Sequence, residues 1–150
     1  MTKNKVNIRI PLPAETGLHG EVMWAKPLGG RRYQLSNIPF HAYNLNLGDI
    51  VYASVGAGDR LPVYRFTEVG SGNQTMRVFF PVALDNKERH TFVDQMKRLA
   101  ASIEWADGQL CALNLPTPVV FDTVFEALLK LEVSGVLGFE TTESVDHETW

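Results

Sequence analysis

A single cysteine stands among the 150 residues of this chain, which excludes an intrachain disulfide. The chain is nevertheless long enough to bury a core without covalent staples. The lone thiol, Cys111, lies in the apolar run Gln109–Leu115 and reads as a small buried hydrophobe. Dispensing with disulfides fits a reducing cytoplasm. Long apolar runs are also missing: none nears the roughly 18 residues a membrane helix needs. The opening MTKNKVNIRIPLP carries two early lysines but no apolar h-region and no small-residue cleavage site. No signal peptide is expected, and the expected location is the cytoplasm.

The usual frames for chemistry are lacking as well. His19, His41, His90 and His147 are scattered, without the HxH, HExxH or CxxH spacing of a zinc site. Gly29-Gly30 beside Arg31-Arg32 has neither a GxxxxGK[ST] frame nor a following helix to hold phosphate, so it reads as a hairpin turn. Gly70–Asn73 reads the same way. His41 as a general base would want a carboxylate to orient it, and Asp49 is the conceivable partner. A loop histidine and a turn-capping aspartate account for both residues more simply. No metal, cofactor or catalytic residue is expected, and the chain is read as a non-enzyme.

Composition is ordinary for a globular domain, with 45% hydrophobic and 21% charged residues. Charge is not evenly placed. Residues 104–150 hold nine acids against Lys130 alone, a net −8, while residues 1–103 hold 13 bases and 8 acids, a net +5. An acidic last third argues against nucleic acid as its ligand and suits a basic partner.

Turn residues punctuate the front half into short strands at Val6–Ile10, Glu21–Lys26, Tyr33–Ser36, Ile50–Val55, Val63–Val69 and Thr75–Val82. From Asp85 the period changes. Phe92, Val93, Met96, Leu99, Ala100 and Ile103 follow helical spacing, and Asp85 with Glu88 forms a capping-box signature. A strand at Gln109–Leu115 follows. Thr117-Pro118 then caps a second helix with Phe121, Val124, Phe125, Leu128 and Leu131 on one stripe, ending at Gly135. Val136–Thr141 is the last strand.

The expected class is α+β: a curved or barrel-like N-terminal antiparallel sheet, then a β-α-β-α-β layer with two amphipathic helices. One domain is expected over 1–150, with a mainly β subregion at 1–73 and an α/β subregion at 74–150. Trp24, Tyr33, Phe40, Tyr43, Tyr52, Tyr64, Phe66, Phe79 and Phe80 fall on or beside strands, and most are expected in the core. A nucleic-acid face would combine such aromatics with Arg9, Arg31, Arg32, Arg65 and Arg77, but no RNP-like or KH-like signature accompanies them.

One block is distinctive: Glu21, Trp24-Ala25, Pro27-Leu28-Gly29, Tyr33, Leu35, Asn37-Ile38-Pro39-Phe40, Leu45, Gly48-Asp49 and Val51. With Arg77–Phe80 and Gly138-Phe139-Glu140, it resembles a bacterial family of small proteins described only as a domain of unknown function. Such proteins resemble the immunity partners of polymorphic toxins, small acidic cytoplasmic inhibitors. The resemblance implies a non-enzymatic protein that blocks the active-site cleft of a cognate antibacterial toxin. An ADP-ribosyltransferase is one class of such a toxin and a nuclease another.

No catalytic residues come with the family. The partner-binding surface is expected on Asp122, Glu126, Glu140, Glu143, Asp146 and Glu148, with Trp150 as an aromatic anchor. The alternative is a small-ligand or regulatory domain with a pocket among Trp24, Phe40 and Tyr43.

Overall fold

The computed structural model describes residues 4–143. They gather into two compact units: the described part of Met1–Ser71 with Thr142 and Glu143, and Gly72–Thr141.

The first unit is a closed barrel of β1 (Val6–Pro11), β2 (Gly20–Gly29), β3 (Arg32–Leu35), β4 (Ile50–Ser54) and β5 (Val63–Val69) in sequence order. A meander reverses direction at every turn, so its fifth strand runs the same way as its first. Closing the ring therefore requires a parallel pair. Arg9 opposite Val63 supplies it, and the Arg9 N–H donates to the Pro62 carbonyl at 2.9 Å. The β2–β3 turn places Gly29, Gly30 and Arg31 at φ of 88°, 63° and 63°, a left-handed run that the two glycines enter without a Cβ clash.

Alternation along β1, β2 and β4 sends Ile8, Ile10, Met23, Ala25 and Val51 inward, where they meet Leu35, Ala42 and Leu45. The barrel interior is thus aliphatic, which corrects the expectation of an aromatic core. Among the nine aromatics, only Phe80 is fully buried, while Trp24, Tyr43, Phe66 and Phe79 are exposed. A ring of five short strands encloses little width, and Met, Ile, Leu, Val and Ala fill it. Strand aromatics such as Trp24 and Phe66 take the outer positions.

The second unit comprises β6 (Gln74–Phe79), α1 (Asn86–Arg98), β7 (Ser102–Trp105), β8 (Leu110–Leu115), α2 (Pro118–Val133) and β9 (Gly138–Thr141). Its sheet runs β7-β8-β6-β9 with every neighbour antiparallel. Strands β6 and β7 are therefore parallel across β8, and β8 and β9 are parallel across β6. This is the split β-α-β arrangement of a ferredoxin-like layer.

The α+β class is as read from the sequence, with one strand more in the second layer. Ile103, assigned by its spacing to the first helix, lies on β7. The helix ends at Arg98, and Ala100 turns the chain at φ 67°. Both helix starts are as the sequence indicates. Asp85 and Glu88 exchange both capping-box hydrogen bonds, and the Thr117 hydroxyl accepts from the Val120 N–H ahead of Pro118.

Met76, Val78, Phe80, Cys111, Leu113 and Leu115 of the sheet region pack with Phe92 and Met96 of α1 and Val124 and Leu128 of α2. Burial among these side chains pushes the Cys111 thiol up to about 12, since desolvation penalises the thiolate. Folded protein is accordingly expected to resist Ellman's reagent at pH 8–9 and to react stoichiometrically once unfolded in urea. Because the folded pKa lies above the unfolded one, this group's contribution is full below about pH 9 and fades as pH rises toward 12.

Candidate functional site

The distinctive block converges on two buried carboxylates. Glu21 takes the inward alternation of β2 shared by Met23 and Ala25. Its carboxylate accepts three successive backbone N–H groups, from Phe40 at 2.6 Å, His41 at 3.0 Å and Ala42 at 2.9 Å. Consecutive N–H groups converging on one anion form a nest, here filled by the chain's own side chain. Asp49 does the same for the next stretch. One of its oxygens accepts from the Asn46 N–H at 3.0 Å and the other from the Ser71 N–H at 2.8 Å. Gly48, at φ 85°, makes the turn that brings Asp49 into place.

Asn37 completes the set, its Oδ1 accepting the Trp24 N–H at 2.9 Å. Glu21, Asn37, Gly48 and Asp49 thus pin a loop of little regular structure between β3 and β4. That loop sends Ile38, Ala42 and Leu45 into the interior.

This geometry bears on the candidate chemistry. Asp49 is buried with both oxygens engaged by backbone donors, and His41 is exposed. No hydrogen bond joins the two side chains. The five arginines that a nucleic-acid face would use are all engaged within the chain. Arg9 donates to the His19 carbonyl at 2.8 Å, Arg31 to the Tyr52 hydroxyl at 3.1 Å and Arg32 to Glu68 at 2.9 Å. Arg65 lies 3.6 Å from Asp59, and the buried Arg77 lies 3.9 Å from Glu140. The bond to Tyr52 raises the Arg31 pKa further above its ordinary value. Among the described residues no helix is long and apolar enough to cross a membrane.

Of the expected partner-binding acids, Asp122 and Glu126 are exposed one turn apart on α2. Around them the same helix exposes Val119 (74%), Leu129 (42%) and Val133 (82%). Glu140 sits on β9 opposite Arg77, and Glu143 is exposed in the first unit. Asp146, Glu148 and Trp150 lie outside the described residues. The outward apolar positions of α2 carry no sequence signal distinct from its core stripe, because valines and leucines line both.

The expected aromatic pocket is differently built. An open pocket of about 310 Å³ on the first unit has Trp24 in its wall with Lys5, Ser36 and Asn37. Phe40 and Tyr43 are not among its described lining residues.

A five-stranded barrel followed by a ferredoxin-like layer defines the architecture, and a solved structure shares it. The chain is similar to one reported as a novel crystal structure of a hypothetical protein from Neisseria gonorrhoeae. That match has a TM-score of 0.78 at 16% identity and covers 93% of this chain and 94% of that one. At such identity the likeness is one of fold. Residues 21–139 match the model of the domain of unknown function DUF4265, and the chain belongs to that family. No curated protein matches it.

Proposed function

We propose that this chain is a non-enzymatic immunity protein of the bacterial cytoplasm. On this reading it binds a cognate antibacterial toxin and blocks its active site. The observation that carries the reading is the outer face of α2. Asp122 and Glu126 stand there among Val119, Leu129 and Val133, all exposed to solvent. Apolar side chains interleaved with acids are the makings of a docking surface: the apolar groups supply buried area, and the acids, with Lys130 the helix's one base, steer a basic partner.

The net −8 over residues 104–150 favours a toxin whose active-site rim is basic, as in enzymes that handle nucleotides or nucleic acids. Further support comes from the distinctive block, whose polar residues serve the fold and leave the surface to do the work.

The test is co-purification of the tagged protein from its native host, followed by co-expression with the captured partner. A captured protein that is toxic alone and harmless with this chain is the expected result. With the partner in hand, Asp122→Lys with Glu126→Lys is expected to lower the association rate about tenfold at low salt, and less at high salt. An unchanged rate at low salt would remove this face from the interface.

A further inference from the structure

We infer that the pocket around Trp24 is a binding site for a small planar aromatic acid, a site independent of the toxin-binding reading. It lies on the outer wall of the barrel. Trp24 takes an outward position of β2, between the buried Met23 and Ala25, and its side chain is 51% exposed. Outward strand residues on a soluble barrel are ordinarily polar, and a half-exposed indole walling a concavity is a ready stacking surface.

The polar groups around it are rich in donors. Lys5 contributes an ammonium, which has three donor hydrogens and no acceptor. Asn37 is fixed in orientation because its Oδ1 accepts the Trp24 N–H at 2.9 Å, so its amide nitrogen faces the remaining surroundings with both hydrogens. Ser36 adds a hydroxyl whose own contact, to the Gln34 carbonyl, is a long 3.5 Å. The Trp24 carbonyl, which could have served as an acceptor, is taken by the Ser36 N–H at 2.9 Å. No carboxylate is among the described lining residues.

An aromatic face, one positive charge and the amide hydrogens of Asn37 together select a flat apolar body carrying an acceptor-only anionic group. A volume of about 310 Å³ is at the small end for ligand pockets and suits one or two fused rings rather than a dinucleotide.

The test uses the full-length protein labelled with 15N and titrated with 2-naphthoate, 2-naphthamide and 2-naphthylmethylamine. The Trp24 indole signal is assigned by its loss in Trp24→Phe. Saturable shifts of the Trp24 indole and Asn37 side-chain amide signals with naphthoate in the millimolar range are expected. The neutral amide should bind at least about fivefold more weakly, and the amine not measurably. Lys5→Gln is expected to weaken naphthoate about fivefold, and Trp24→Ala about tenfold or more. Both side chains are exposed, so both variants should fold. No saturable shift with naphthoate, equal binding of acid and amide, or full affinity in Lys5→Gln would each overturn the assignment.

Discussion

Replacing Glu21 with alanine should remove roughly 3 kcal/mol or more of stability, the largest effect expected of any single polar residue in the barrel. The carboxylate holds the N–H groups of Phe40, His41 and Ala42 at 2.6–3.0 Å in a loop with little regular secondary structure. Alanine would leave three donors without an acceptor, the one on Ala42 fully buried, and each orphaned buried donor costs about 1–3 kcal/mol. The loop also carries Ile38, Ala42 and Leu45 into the interior, so its release would expose apolar surface as well.

Glu21→Gln keeps one carbonyl oxygen but turns an NH₂ toward the same donors, and an intermediate loss is expected. Urea unfolding of the three proteins measures this directly. Glu68→Ala, which removes an exposed partner of Arg32, is the control and should cost less than about 1 kcal/mol. A Glu21→Ala loss no larger than the control would mean that water replaces the carboxylate at little cost, and that the block owes its residues to something other than folding.

Phe92→Ala should be comparably severe in the second unit, at about 3–5 kcal/mol. Only Phe92 and Met96 of α1 are fully buried, so the helix is held to the sheet through very few side chains. Phe92 meets Phe80 edge-on, with centroids 5.1 Å apart and planes at 87°, and lies 6.2 Å from Trp105. Phe80 and Trp105 are themselves 6.1 Å apart, and the Arg89 guanidinium sits 4.6 Å over the indole. Removing one ring therefore opens a void bordered by two others that cannot close in without leaving their rotamers.

A shift in calorimetric unfolding and a red shift of tryptophan emission would register the loss. Phe92→Leu, which keeps much of the volume, should cost about half as much. If Phe92→Ala unfolds like the parent, α1 is anchored elsewhere.

Much of this architecture was legible in the residues. Turn chemistry at Gly29-Gly30, Gly48-Asp49 and Gly70–Asn73 separates the strands, and Asp85, Glu88, Thr117 and Pro118 announce the helices. The strand β7 was not legible, because Ile103 falls where a helical stripe would place it. Ala100 reverses the chain without the glycine that ordinarily marks such a stop. The closure of the barrel was equally hidden, since alternation tells which face a residue takes and says nothing about which strand lies beside it.

The exposed acids of α2, Asp122 and Glu126, stand out in the sequence by the charge of the last third. The role of Glu21 does not, because a carboxylate that captures backbone amides about twenty positions away follows no spacing rule. The exposure of the Trp24 indole was not legible either. Aromatic residues on strands are usually counted as core, and here aliphatic side chains fill the interior while only Tyr33 and Tyr64 pack partly against it.

The single parallel seam has a consequence for how the barrel comes into being. Each of its four other pairings joins strands consecutive along the chain, across connections far shorter than the whole meander. The seam joins Arg9 to Val63, the two ends of the whole meander, through one bridge. Bringing those ends together gains little until the hairpins between them exist, because the entropy of closing so long a loop must be overcome by very few contacts. Assembly should thus run from a curling ribbon to a ring, with the seam the last stitch made and the first to part.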